Sequence, residues 1–346
     1  MQIVRAVLTT GIMTAALLSQ PALAGKAQRP LDATSILRQS VAAPRHLSYV
    51  GQMQNLRFGM SRAEATIFRV EHRAPDLTRR WYVAPQSLYG DSIITRGNVS
   101  YNLDIKRNVL VISKNDSAND QVTLNDNFSL LTANYRAIIG AAETIAGRRA
   151  FAILLMSKYT GQVAMRIWID AQTKLVLQKE TYASNGSVTH QSRFEHIRYT
   201  NEIPVAIFAA PKSGFQQVRG LNHGVASNDL ERILRTAGFK ARGPKYLPDG
   251  FIPAAGNVTD IKGIRTLHLL YSDGVRTLSL FENAKGAAVD LSHYKATNVH
   301  FEDHDGQYVE EGPTTLIAWE EAGLHFALVS DMSRQELLKI AASVIP

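Results

Sequence analysis

The feature that most constrains this chain is a rhythm of short alternating segments between residues 46 and 199. Turn-forming residues cut it at the roughly 8–12-residue spacing of an all-β meander. In "VAMRIWID" (163–170), Val163, Met165, Ile167 and Ile169 share one side and Ala164, Arg166 and Trp168 the other. That is the two-residue period of a strand with one face buried and one partly solvated. "HLSYVGQMQNLRF" and "SRAEATIFRVEH" follow the same pattern about a turn at Gly59-Met60. "RRWYVA", "SIIT", "VSYNLD" and "NVLVISK" continue it, with turns at Gly97-Asn98 and Arg107-Asn108. "RRAFAILLMSK", "KLVLQKETYA" and "SVTHQSRFEHIRY" complete it, with turns at 170–174 and at Asn185-Gly186. Connections this short favour antiparallel neighbours. A sheet with this many strands curls into a half-barrel, whose hollow must be filled by helices or a ligand.

Helices interrupt the rhythm. "LDATSILRQSVAA" (31–43) carries an Ile36, Leu37, Ser40, Val41 stripe, with Asp32 or Thr34 as cap and Pro44 as terminator. "NDNFSLLTANYRAIIGAAE" (125–143) reads as one or two helices. The Pro, Gly and Ser content of residues 204–227 suits a linker. Beyond it come a short helix "DLERILRTAG", the extended "YLPDGFIP", a hairpin and strands around "TTLIAWE" and "LHFALVS". A closing helix "SRQELLKIAASVI" has Ser333 and Glu336 placed for a capping box. The expected fold is therefore α+β: a large curled antiparallel sheet with helices over residues 25–203, then a linker over 204–227. A smaller α+β domain follows over 228–346.

The N-terminus reads as an export signal. Arg5 precedes the apolar stretch Ala6–Leu18, which is too short to span a bilayer, and Ala22-Leu23-Ala24 offers a cleavage site before Gly25. Residues 1–24 are thus expected to be removed and the remainder to work in the periplasm. The absence of cysteine excludes disulfides, thiolate metal sites and cysteine nucleophiles. Charge divides the rest. Residues 25–220 hold 25 Lys/Arg against 14 Asp/Glu (25 − 14 = +11), and residues 239–346 hold 10 against 14 (10 − 14 = −4). In an exported protein a basic half suits anionic lipid headgroups, lipopolysaccharide phosphates or an acidic protein, not nucleic acid.

Catalytic constellations are missing from the sequence. Ser272 beside Asp273 in "LHLLYSDGVRTLSLF" (267–281) could suggest a nucleophile. However, the surroundings are those of a hairpin, and neither a G-x-S-x-G elbow nor a histidine in reach can be read. With Asp273-Gly274 as a two-residue turn, Tyr271 would face Arg276, Leu269 would face Leu278 and Leu267 would face Leu280. Leu267, Leu269, Tyr271, Leu278 and Leu280 then form one face; His268, Leu270, Ser272, Thr277 and Ser279 form the other. His300 and His304 have zincin spacing, but Phe301 stands where the catalytic glutamate belongs. The adjacent pairs Glu310-Glu311 and Glu320-Glu321 would point to opposite faces of a strand, a poor acid–base arrangement. The expectation is a binding protein without cofactor, metal or catalytic residues.

Four segments carry a resemblance: "FRVEHRAPDLTRRWY" (68–82), "IWIDAQTKLVLQKETYASNGSV" (167–188), "YLPDGF" (246–251) and "LLYSDGVRTLSLF" (269–281). Through them the chain resembles the MucB/RseB family of periplasmic sigma-factor regulators, whose large domain is similar to the lipoprotein carriers LolA and LolB. The resemblance implies binding to the periplasmic segment of a membrane anti-sigma factor and its protection from proteolysis. It also implies sensing of lipid, lipopolysaccharide or lipoprotein acyl chains during envelope stress. A lipid or lipoprotein carrier is the second reading; a carrier has no need of the second domain. Trp81, Tyr101, Phe151, Ile153, Leu155, Met165, Ile167 and Trp168 are the expected lining of an acyl-chain cavity, although they are equally suited to ordinary core. Leu270 and Thr277 are the expected partner-facing residues of the hairpin.

Overall fold

A computed structural model describes residues 32–59, 63–114, 128–211, 214–219, 230–261, 264–284, 291–292, 294–311 and 314–344. The expected export signal, residues 1–24, and Met60 of the expected Gly59-Met60 turn lie outside them. Helix α1 (Ala33–Ala42) opens the described chain. Asp32 caps it, accepting from Ser35 N at 2.9 Å and from Thr34 N at 3.3 Å, while Ile36, Leu37 and Ser40 are buried. Strands β1 (Tyr49–Phe58), β2 (Ala63–Arg73), β3 (Leu77–Ala84), β4 (Ser92–Arg96), β5 (Val99–Asp104) and β6 (Val109–Lys114) follow as a meander.

Helix α2 occupies only Phe128–Asn134, and Tyr135–Ile145 is strand β7 rather than more helix. Its Ala-rich sequence favours helix, but pairing with β8 (Arg148–Ser157) overrides that preference. The register shifts between Ile139 and Ala142, and Gly140 lies close against Leu154, whose Cδ1 would be 2.8 Å from an added Cβ. Strands β9 (Val163–Asp170), β10 (Val176–Tyr182) and β11 (Val188–Tyr199) return the sheet to β1. Strand β12 (Gln216–Arg219), inside the stretch expected to be a linker, adds a parallel strand beside β6. The resulting order is β12-β6-β5-β4-β3-β2-β1-β11-β10-β9-β8-β7. It curls strongly, for β7 comes back against β11 although three strands separate them in the ladder.

At this curled end both faces are buried, where the sequence suggested one solvated face. Ile153, Leu155, Met165, Ile167 and Ile169 pack with Ile36 and Leu37 of α1 and Leu131 of α2. Trp168, Ala150 and Ala152 join a separate cluster with Phe68, Val70, Leu177 and Phe194.

The second sheet follows α3 (Leu230–Thr236) and runs through seven strands. These are β13 (Ile252–Ile261), β14 (Ile264–Ser272), β15 (Thr277–Asn283), β16 (Thr297–Phe301), β17 (His304–Glu311), β18 (Thr314–Glu321) and β19 (Leu324–Ser330). They are arranged β13-β14-β15-β19-β18-β17-β16. Helix α4 (Arg334–Val344) closes the chain, with Ser333 Oγ accepting from Glu336 N at 3.3 Å. Leu337, Ile340 and Val344 of α4 and Ile233 of α3 cover the face carrying Leu267, Leu269, Leu278 and Leu280. No helix among the described residues is long and apolar enough to cross a membrane.

Candidate functional site

The two domains meet where α2 passes into β7, and Asn134, 5 % exposed, is the hub. Its Nδ2 donates to the carbonyls of Gly250 and Asp273, both at 2.9 Å, and its Oδ1 accepts from Tyr159 Oη at 3.0 Å. Tyr135 Oη donates to Asp273 Oδ2 at 2.6 Å. Burial, then the Asp273 charge, holds that phenol far above its ordinary pKa, so it stays a donor. Two glycines permit the approach. Gly274 has φ +95°, and a Cβ there would lie 2.7 Å from Leu131 N; Gly250 has φ +83°, and a Cβ would lie 2.8 Å from Asn134 Cγ.

The hairpin is built around this contact. Asp273 Oδ1 accepts from Val275 N (2.8 Å) and Arg276 N (2.7 Å). Ser272 Oγ accepts from Gly274 N (3.0 Å) and donates to Arg276 O (2.9 Å). The serine is thus engaged within its own turn. Residues 273–276 all belong to the turn, so the pairing differs from the two-residue expectation: Ser272 faces Thr277, Tyr271 faces Leu278 and Leu269 faces Leu280. The slip is an even number of positions, so every side chain keeps its face.

Beside the junction lies a cleft of ≈ 620 Å³. The first domain contributes a neutral wall from two turns: Ser157, Tyr159, Thr160 and Gln162, then Ser184, Asn185, Ser187 and Thr189. The second contributes Tyr246, Pro248, Phe251 and Met332 together with Asp249, Asp273, Glu310, Asp331, Glu336 and Arg276. Tyr159 is 53 % and Phe58 36 % exposed at its rim. Glu310 accepts from Tyr308 Oη at 2.9 Å and Glu336 from Tyr246 Oη at 2.6 Å. Burial raises the Asp331 carboxyl above the usual range, with Arg276 opposing and Asp273 adding to the rise. The arrangement suits recognition of a chain or side chain between two walls.

The sequence model described as "MucB/RseB N-terminal domain" matches residues 32–212, or 212 − 32 + 1 = 181 of 346 residues. The chain belongs to the MucB/RseB family. A second model, described as a domain of unknown function (DUF4367), matches residues 242–344. No curated protein matches the chain. Among solved structures, the Pseudomonas aeruginosa MucA/MucB complex includes a chain 15 % identical, with a TM-score of 0.62, over 91 % of this chain and 99 % of that one. A structure of MucB with periplasmic MucA gives 14 %, 0.60, 91 % and 99 %, and MucB itself 14 %, 0.53, 91 % and 98 %. At these identities the likeness establishes the fold, and it extends over both domains.

Within this MucB/RseB fold the expected cavity residues fall in four places. Phe151, Ile153, Leu155, Met165 and Ile167 share the cluster beneath α1 and α2. Trp168, 2 % exposed, lies in the neighbouring cluster with Phe68 and Phe194. Tyr101 packs with Ile94, Ile203 and Phe208. Trp81 is half-buried on β3, with the guanidinium groups of Arg69 and Arg79 within 5.9 and 5.4 Å of its ring centroid. Leu270 is 7 % exposed and Thr277 half-buried on the β14–β15 hairpin, paired with Ser279 and Ser272 respectively. His300 and His304 sit on separate strands of a hairpin, partnered by Asp305 at 3.0 Å and Glu321 at 3.1 Å. Sequence reasoning missed Asn134, Tyr135, Tyr159 and Asp331. The Asp273-Gly274 pair was visible only as a turn and "YLPDGFIP" only as an extended segment, without the surface they meet.

Proposed function

We propose that this protein is a periplasmic regulator that binds the periplasmic segment of a membrane anti-sigma factor. It would shield that segment from proteolysis and release it when envelope lipid signals appear. The observation that carries the reading is the likeness over both domains to MucB, a protein solved with MucA. The convergence of "YLPDGF" and "YSDGV" on one interdomain cleft supports placing the partner there. In this reading residues 1–24 are the export signal, 25–203 and 228–346 are the working domains, and 204–227 connects them. Lipid sensing belongs to Phe151, Ile153, Leu155, Met165 and Ile167, which acyl chains reach when α1 lifts from the sheet.

The test is calorimetry of the full mature chain against the periplasmic segment of the anti-sigma factor from the same genome. Interfaces of standard size give micromolar to nanomolar affinity, and that is the expected result. Absence of binding, together with lipid co-purifying in native mass spectrometry, would favour a carrier instead.

A further inference from the structure

The overall charge of the chain is +8, yet the second-domain wall of the cleft sets five carboxylates against one guanidinium. Three of those carboxylates are served internally: Asp273 by Tyr135 and two backbone N–H groups, Glu310 by Tyr308, and Glu336 by Tyr246. Asp331 is different. Its Oδ1 is closed off from solvent and has no hydrogen-bond partner. Arg276, on the same wall, has its Nε 3.9 Å from Asp273 Oδ2 and without a hydrogen bond; its charge opposes the rise at Asp331 but its guanidinium makes no hydrogen bond to Oδ1. A buried carboxylate oxygen without a donor is costly, and it keeps its place in a fold when something else supplies the donor.

We infer that the cleft receives a lysine or arginine side chain from an extended peptide segment, with the Asp331 carboxylate as its counter-ion. This deepens the functional reading above and rests on it. The acidic wall supplies the field for a cation, and the facing wall holds hydroxyls and amides with no cation to compete. Those hydroxyls and amides can bond the main chain of the segment, while the exposed rings of Tyr159 and Phe58 flank the apolar stem of a long cationic side chain. Burial already raises the carboxyl of Asp331, which a bound cation would reverse.

The experiment compares wild type and Asp331→Asn as full mature chains. Each is titrated with the periplasmic anti-sigma segment and with versions in which single Lys or Arg residues become Met. Asp331→Asn is expected to bind at least tenfold more weakly, and one cation-to-Met change should lose as much on wild type but little on the variant. The same substitution removes a buried charge whose desolvation outweighs the pull of Arg276 and of its own backbone N–H, so its melting temperature should equal or exceed that of wild type. Unchanged affinity in Asp331→Asn, or no single Lys or Arg that matters, overturns the inference and leaves the functional reading intact. A clear fall in melting temperature overturns it too, because Asp331 would then be a structural residue. If wild type itself fails to bind, the functional reading falls and takes this inference with it.

Discussion

The first sheet buries both of its faces at the β8–β10 end, in two clusters on opposite sides, whereas the second gathers its core in one cluster under α3 and α4. The first therefore divides its apolar side chains, so α1 and α2 must close one cluster while the curl of the sheet closes the other. The second follows the usual two-layer arrangement. Between them lies a mainly polar seam: Asn134, Tyr135 and Asp273, with Arg57 Nη2 reaching Thr314 Oγ1 at 3.4 Å, while Val275 of the hairpin packs against the cluster beneath α1 and α2. Two cores joined by a polar seam can unfold separately, and recognition at the seam can sense both.

The strongest way to break the comparison is to open each core in turn. Leu155 and Leu280 are both 0 % exposed, one in each domain. Truncating either to Ala is expected to cost about 2–5 kcal/mol. Each substitution should lower one calorimetric transition and leave the other within a few degrees. Trp319 lies in the second core and Trp168 in the first, so resolved fluorescence of single-Trp variants would identify which domain moved. A single shared transition falling equally in both variants would mean that the seam couples the cores fully.

The domains also differ in their response to acid. Burial raises the fully buried Glu282 carboxyl from 4.5 to about 7, with the N–H and charge of Arg242 opposing. The folded value exceeds the unfolded one, so ionisation penalises folding. That penalty is absent below 4.5, grows through the interval and is complete above about 7. In the first domain the signs are reversed. Burial, then Arg57 and Lys179, lowers His190 from 6.5 to about 4, so stability is lost as pH falls through that window. Asp170 acts in the same direction but only at lower pH, below its ordinary 3.8: burial alone would raise it, while Arg148 and the N–H groups of Thr173 and Gln172 hold it lower. Acidification from pH 8 to 5 should thus raise the second-domain transition and lower the first. Glu282→Gln should stabilise the second domain at pH 8 by up to about 3.5 kcal/mol, at roughly 1.4 kcal/mol per pKa unit over the rise from 4.5 to about 7, and by little at pH 5. Equal gains at both pH values would show that charge is not the cause.

How much of this was legible depended on how far apart the interacting residues lie in sequence. Strands with a two-residue period announced themselves, and in "VAMRIWID" the assignment of Met165, Ile167 and Ile169 to one face holds in the fold. Strand β7 was hidden because its Ala-rich run favours helix locally; only its ladder with β8 makes it a strand. The hairpin turn was misplaced because Asp-Gly is a good two-residue turn, whereas here Asp273 spends its carboxylate bonding Val275, Arg276 and Tyr135. The cleft was not legible at all. Asn134 bonds residues 116 and 139 positions away, and no local pattern encodes such a meeting.

The mildest test sharpens the seam itself. Tyr135→Phe removes one hydroxyl, keeps the ring in the core with Leu131 and Ile153, and leaves Asp273 with its two backbone donors. A buried hydrogen bond to a carboxylate contributes about 1.5 kcal/mol at the low end of its range. Because the bond spans the two domains, its loss should draw the transitions apart rather than lower one alone. The phenol stays protonated through the accessible pH range, so the effect should not vary between pH 6 and 8 beyond what Glu282 and His190 account for. Calorimetry of the variant beside wild type measures this separation directly. An unchanged gap between the transitions would assign the seam to Asn134 and to the close approach of Gly250 and Gly274, which Tyr135→Phe leaves in place.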